Sequence, residues 1–236
     1  MANPKALAAW SSGKDSAWAL DLARRAGEVE VVGLLTTFTR QYGRVTMHGV
    51  REELVAAQAA AVGLPLRRMA IPTPCSNEEY EASLGAEMES AKAEGITHLI
   101  FGDLFLADVR EYREKQLAKA GMTGLFPLWH RGTALTAEAM ILGGLKARVT
   151  CLDLKKLPRG LAGAEFDEDF VCGLPASVDP CGENGEFHTF CYAAPGFRAP
   201  IGIKTGEIVE REGFVFADLL LDPPRQPASP GAPDVS

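Results

Sequence analysis

The feature that most limits how this chain can fold is the regular exchange of two hydrophobic periods between residues 5 and 129. Short apolar or β-branched runs, the mark of buried strands, alternate with longer stretches of helical period closed by glycine. Residues 5–10 (KALAAW) run into a Ser-Ser-Gly turn. Residues 16–27 (SAWALDLARRAG) then carry apolar side chains at helical spacing, with arginines late and Gly27 as a stop. A strand at 29–38, a helix at 49–63, a strand at 66–71 and a helix at 76–95 follow. The last opens with Ser76 and Glu79 at the spacing of a capping box. A strand at 97–103 and a helix at 108–121 complete the series, and 125–129 (LFPLW) is a short apolar segment. Strands separated by helices of this length form right-handed βαβ units and a parallel sheet covered on both faces. The fold class expected is therefore α/β, with a Rossmann-like parallel sheet. Ligands on such sheets bind beyond the carboxyl ends of the strands, near the reversal of strand order. That puts the loops 11–16, 38–48 and 102–108 along one rim.

The second half changes character. A helix at 133–144 and a strand at 146–154 precede Gly/Pro breaks, and strand-like pieces follow at 188–193, 201–210 and 213–221. This predicts a smaller C-terminal α+β unit, dividing the chain into 1–129 and 130–222. Residues 223–236 form a Pro- and Ser-rich tail expected to be disordered. The net charge of −7 argues against a broad grip on nucleic acid, which needs clustered lysine and arginine. The five cysteines, at 75, 151, 172, 181 and 191, include no C-x-x-C pair. They read as reduced thiols of a cytoplasmic protein, a metal or disulfide role being the alternative. The N-terminus has no signal-peptide pattern. No segment approaches the roughly 18 uninterrupted apolar residues that cross a membrane.

The loop after the first strand reads "SSGKDS" at 11–16. It is not a Walker A loop, because position 8 is Ala and the residue after Lys14 is Asp. Small residues and backbone N–H groups at a helix N-terminus still make an anion site, to which Ser11, Ser12 and Ser16 add hydroxyls and Lys14 a charge. Asp15 would repel phosphate directly, and a Mg²⁺ ion bridging carboxylate and phosphates resolves the conflict. The alternative is a serine-rich helix N-cap with a charged turn.

In this context "SSGKDS" resembles the S-G-G-x-D-S pyrophosphate loop of the N-type ATP pyrophosphatases, the adenine nucleotide alpha hydrolase superfamily, with Ser12 in place of the first glycine. Serine fits there if the position does not need a positive φ. With "GDLFLADVREYREKQ" (102–116), "LFPLWHR" (125–131) and "DPCGENGEFHTF" (179–190), the chain up to about residue 222 resembles the diphthine–ammonia ligase family and its bacterial relatives of uncertain substrate. The resemblance implies a HUP-type sheet, ATP and Mg²⁺ as cofactors, cleavage between the α and β phosphates, and a homodimer. From charge and apolar run length, no broad nucleic-acid binding and no membrane partner are expected.

The segment 181–190 (CGENGEFHTF) is the second constellation. Asn184-Gly185 favours a tight turn that would bring Glu183, Glu186 and His188 together, able to bind an amine, orient a nucleophile or act as a base. A hairpin with solvated carboxylates is the alternative. In the family the matching stretch reads nearer to E-G-G-E-Y/F-E-T and is taken to line the acceptor or ammonia site. Asn184 and His188 depart from it in the manner of the bacterial relatives.

The expected function is therefore an ATP-dependent ligase that adenylates a carboxylate for attack by ammonia and releases AMP and pyrophosphate. Asp15, Lys14, Glu183, Glu186 and His188 are the candidate catalytic residues. Ser11, Ser12, Gly13, Lys14, Asp15, Ser16, His48, Gly102 and Asp103 are the candidates for ATP, with Asp15 on Mg²⁺. Asn184, Glu186, His188, Arg110 and Arg113 are the candidates for the substrate, a small or protein-borne carboxylate. Asp108 reads as the cap of the helix at 108–121. Trp129, His130 and Arg131 read as the junction of the two units. The alternatives are an ATP pyrophosphatase acting on a small carboxylate in cobalamin-type cofactor salvage, and a non-catalytic adenine nucleotide-binding module.

Overall fold

The first strand is flanked on both sides by parallel partners, and this decides where the rest of the chain goes. The computed structural model describes residues 2–41, 43–45 and 49–222. Strand β1 (Lys5–Ala9) pairs in parallel with β2 (Glu30–Thr39) on one edge and β5 (Ile96–Ile100) on the other. Outward from these lie β4 (Leu66–Ile71), parallel to β2, and β6 (Thr123–Leu125), parallel to β5. The two-residue β3 (Arg44–Val45) pairs antiparallel with the end of β2. The chain thus builds from β1 to β4, then returns across β1 to build β5 and β6. The reversal of strand order falls between β1 and β5, so their carboxyl ends open a crevice.

The helices follow from the period-2 burial of β1. Ala6 and Ala8 point to one face, in a cluster with Ala17 and Trp18 of α1 (Lys14–Ala26) and Leu54 and Val55 of α2 (Glu52–Val62). Leu7 points to the other, with Met88 and Ala91 of α3 (Asn77–Ala93) and Leu117 of α4 (Ala107–Lys119). Side chains this completely buried contribute about 1.5–3 kcal/mol each for the larger aliphatics. Gly27 and Gly63 end α1 and α2 in the left-handed region, at φ +66° and +74°, which glycine adopts without a Cβ clash. The capping box at α3 is formed as the spacing predicts, Glu79 N donating to Ser76 Oγ at 3.2 Å and Ser76 N to Glu79 Oε2 at 2.8 Å.

A second sheet follows α5 (Thr133–Leu142). Its order is β8 (Phe187–Ala193), β7 (Lys146–Asp153), β10 (Phe214–Leu221), β9 (Ile203–Arg211), every neighbour antiparallel, with the short helix α6 (Glu168–Cys172) between β7 and β8. Its apolar face (Val149, Phe187, Phe190, Val215 and Ala217) joins the same cluster as α1 and α2. Helix α1 is therefore a shared layer between two sheets. Its buried residues run almost all round it, Lys14, Ser16 and Asp21 included, because little of its surface is left for solvent. The α/β class with an additional C-terminal sheet is as the sequence predicts.

Two helix starts differ from the sequence reading. Helix α1 starts at Lys14, two residues earlier than its apolar period, with Gly13 as N-cap. Helix α4 starts at Ala107 with Leu106 as N-cap and no side-chain cap. Asp108 is thus inside the first turn, where its charge meets the helix dipole, and does not cap. Of the segment 125–129 only Leu125 is in a strand. His48 and the tail 223–236 lie outside the described residues. Among the described residues all five cysteines are free, and no helix is long and apolar enough to cross a membrane.

Candidate active site

Strand β1 ends at Ala9, and after Trp10 the chain must turn sharply to enter α1. It does so through Ser12, at φ +72°, a conformation that costs a non-glycine residue about 1–2 kcal/mol. The second sheet holds this turn in place. Cys191 N of β8 donates to Ser12 O at 2.9 Å, and Gln58 Nε2 donates to both Ser12 O (2.9 Å) and Cys191 O (2.6 Å). Lys14 N donates to Thr189 Oγ1 at 3.1 Å. Gln58 is fully buried, and Trp10 Nε1 donates to its Oε1 at 2.8 Å. The first loop and the segment 181–191 are therefore one structure, stitched by backbone and buried amide hydrogen bonds.

A cavity of about 480 Å³ opens where they meet. All three rim loops reach it: Ser11, Lys14, Asp15 and Ser16 from the first, Val45 from the second, Gly102 and Asp103 from the third. Gly182, Glu183, His188 and Thr189 line the opposite side. Deeper, Leu35, Met69, Tyr80, Leu84 and Leu99 form an apolar wall. Gly102 has a packing reason to be glycine: a Cβ there would lie 2.8 Å from Asp15 C and 2.9 Å from Ser16 N.

Within the loop, Ser11 Oγ accepts from Gly13 N at 3.3 Å, and Ser16 Oγ donates to Gly13 O at 2.9 Å. Ser12 Oγ is buried with no hydrogen-bond partner. Lys14 is 1% exposed. Its ammonium donates to Asp15 Oδ2 at 2.9 Å and to Cys181 O, and sits 5.4 and 5.1 Å from the ring centres of Phe166 and Phe187. Burial alone would lower its pKa; the charge of Asp15, reinforced by Cys181 and Glu183, carries it above the ordinary lysine value. The Asp15 carboxyl is also raised: burial pushes it above the usual range, and Lys14 offsets only part of that. Lys14 is therefore charged beside an aspartate whose charge is under-compensated, because Asp15 Oδ1 is buried with no partner.

The second constellation divides. Glu183 Oε1 accepts from Leu104 N at 2.8 Å, tying the turn to the loop after β5. Its carboxyl is pushed up to about 7, first by burial and then by the charges of Asp15 and Asp103. Glu186 is 1% exposed and does not line the cavity; its Oε1 accepts from Asp179 N (3.1 Å) and Asn184 Nδ2 (3.0 Å). Asn184 and Glu186 therefore shape the turn that presents Glu183, and the two carboxylates do not meet in the cavity as the spacing suggested. Gly185 occupies φ +79°, as a tight Asn-Gly turn demands. His188 lines the cavity, its imidazole pushed down to about 4, mainly by burial and secondarily by Lys14.

Asp103 lines the cavity with Arg113, whose Nε lies 2.9 Å from Asp103 Oδ2 but is not aligned for a hydrogen bond; the guanidinium also lies 4.6 Å from the Phe101 ring centre. Arg110 is not in the cavity wall. It pairs with Glu114 at 2.8 Å and lies over Phe126 and Trp129, at 4.5 and 4.7 Å. Trp129 and His130 meet edge to face beyond β6, ring centres 4.8 Å apart, and do not line the cavity. Sequence reasoning missed the apolar wall and Gln58. The latter left one sign, a lone amide within the apolar helical run VAAQAAAV.

Among the described residues no three His, Cys, Asp or Glu side chains converge as a protein-only metal site. A cation held by one carboxylate and phosphate oxygens is compatible with that, and the unpartnered Asp15 Oδ1 is a donor of the right kind.

An α/β sheet with an anion-type loop at its switch point, faced by an acidic turn from a second sheet, defines an enzyme-like cleft. A family profile described as "Diphthamide synthase N-terminal domain" matches residues 4–124. A zebrafish (Danio rerio) protein named diphthine–ammonia ligase is 30% identical over 188 residues, covering 72% of this chain and 72% of the relative. A bovine (Bos taurus) protein of the same name is 26% identical over 236 residues, covering 89% of this chain and 86% of the relative. The chain belongs to the diphthamide synthase family, and by that membership it is a ligase-like enzyme.

Proposed function

We propose that this protein is an ATP-dependent amide-forming ligase that activates a carboxylate as an acyl-adenylate for attack by ammonia, releasing AMP and pyrophosphate. The observation that carries the reading is Asp15: a half-buried carboxylate in the wall of the crevice, at the N-terminus of α1, whose Oδ1 is buried and unpartnered. A carboxylate beside a phosphate loop is unfavourable unless a cation joins them, and Asp15 Oδ1 would hold Mg²⁺ there. When bound, that ion offsets the negative charge of the departing pyrophosphate.

The chain's own residues divide the work. The N-terminal amides of α1 and the hydroxyls of Ser11 and Ser16 bind the pyrophosphate oxygens. Lys14 acts from behind, its ammonium holding Asp15 and docking the Cys181 carbonyl so that both loops keep one geometry. The apolar wall of Leu35, Met69, Tyr80 and Leu99 takes the adenine. An oxygen of the substrate carboxylate attacks the α-phosphorus, and the bond from that phosphorus to the bridging oxygen breaks as pyrophosphate leaves. Ammonia then attacks the acyl carbon, and AMP departs with the electron pair of the acyl–oxygen bond. Glu183, whose carboxyl titrates near neutrality, receives the proton released from nitrogen. His188, held neutral, lies beside the acceptor and can accept a hydrogen bond. Residues 1–129 serve the nucleotide and 130–222 the acceptor.

The name of the relatives makes diphthine with ammonia the first substrate pair to test, and small carboxylates the second. Incubation with Mg-ATP, ammonium and each acid should yield AMP and pyrophosphate in step with amide. Formation of ADP would overturn the proposal. Asp15→Asn should abolish pyrophosphate release while leaving the fold intact; activity that survives it would remove Asp15 from the mechanism.

A further inference from the structure

Two arginines flank the turn that carries Val45 into the cavity wall, and both are drawn to one residue of the other sheet. Arg44 Nη1 donates to Asp218 Oδ1 at 2.9 Å. Arg51 donates from Nε to Oδ1 (3.1 Å) and Oδ2 (3.2 Å), and from Nη2 to Oδ2 (2.6 Å). Asp218 lies on β10, its side chain 19% exposed, and its carboxyl is held below the usual range because the Arg51 and Arg44 hydrogen bonds outweigh burial. The backbones of Arg44 and Arg51 face each other across an antiparallel bridge. Within it Val45 N donates to Val50 O at 2.8 Å, and Glu52 N to Gly43 O at 3.0 Å. Gly49, at φ +66°, lies against the ring of Phe216, two residues from Asp218 on the same face of β10; a Cβ would come within 3.2 Å of that ring.

Two guanidinium groups on facing positions repel each other, and the carboxylate between them offsets that repulsion. We infer that Asp218 is a positioning residue: it clasps the paired segments 43–45 and 49–51 to the second sheet and so fixes the Val45 wall of the nucleotide cavity. The clasp couples the second sheet to nucleotide binding although Asp218 touches no part of the cavity. The nucleotide part of this inference rests on the reading given under Proposed function; the clasp itself does not.

The test combines two readouts on the full chain. In Asp218→Asn, tryptic cleavage after Arg51, followed by mass spectrometry, should accelerate about tenfold, and the Kd for Mg-ATP should rise about tenfold. In Arg44→Gln with Asp218→Asn the effect should be no larger than in Asp218→Asn alone, because the contact that Arg44 makes to the second sheet is already lost. Asp218→Glu keeps the charge and should fall between, which preserves the test if the asparagine variant folds poorly. Cleavage and Kd unchanged in Asp218→Asn, or a double variant worse than either single change, would overturn the inference. Faster cleavage in a protein whose wild type binds no Mg-ATP would keep the clasp and remove the nucleotide reading of the cavity.

Discussion

Replacing Ser12 by glycine should make the protein more stable and leave its chemistry in place. Ser12 is held at φ +72°, fully buried, and its hydroxyl has no hydrogen-bond partner. The left-handed conformation costs a residue with a Cβ about 1 kcal/mol or somewhat more. A buried hydroxyl left unpaired costs about 1–3 kcal/mol. Against these gains, glycine adds conformational freedom to the unfolded chain, a loss of about 0.4–1 kcal/mol. The net is a stabilisation on the order of 1 kcal/mol, which for a domain of this size raises Tm by about 2–4 °C. Differential scanning calorimetry of the two proteins reads this directly. The carbonyl of residue 12, which accepts from Cys191 and Gln58, is unaffected by the change. A Tm that falls would refute the reasoning, because it would mean the hydroxyl makes an interaction that outweighs the backbone strain.

Further predictions follow from the same site. Gly102→Ala should displace the loop, since the new Cβ meets the backbone of Asp15 and Ser16, with a loss of about 1–3 kcal/mol by thermal denaturation and weaker nucleotide binding. Thr189→Val removes the acceptor for Lys14 N at the start of α1 and should lower stability by about 1 kcal/mol, measured by urea titration. Glu183 titrates near 7 when folded and has an ordinary value of 4.5, so the folded state favours its protonated form. Its stabilising contribution is present below pH 4.5 and is lost as pH rises through about 7. Glu183→Gln should therefore gain stability relative to wild type as pH rises across that window; a Tm difference that is flat with pH would contradict the assignment. In kinetics, kcat/KM should rise as the carboxyl ionises near pH 7, and that limb should vanish in Glu183→Gln.

The sequence carries local rules well and long-range packing poorly, and particular residues show why. The capping box of Ser76 and Glu79, the glycine stops at 27 and 63 and the alternation of strands with helices are set by neighbours a few positions away, and all are formed. The convergence of three loops follows from the switch-point rule and is also met. The positive φ of Ser12 could be posed as a question from a glycine-to-serine departure, but only the backbone could answer it. Asn184-Gly185 announces a turn without saying which carboxylate it presents, because Glu183 and Glu186 differ in what lies behind them: Leu104 in one case, Asp179 and Asn184 in the other. The loop marks Lys14 as a charge in the cavity wall, where it lies; that its ammonium also meets the Cys181 carbonyl, Phe166 and Phe187 depends on residues far from it in sequence.

The central claim is acyl-adenylate formation, and pyrophosphate exchange tests it most directly. With an acid that the enzyme converts to amide, but with ammonia withheld, labelled pyrophosphate should enter ATP, and Asp15→Asn should abolish the exchange. Amide formation from that same acid accompanied by ADP, with no exchange of pyrophosphate, would contradict the account.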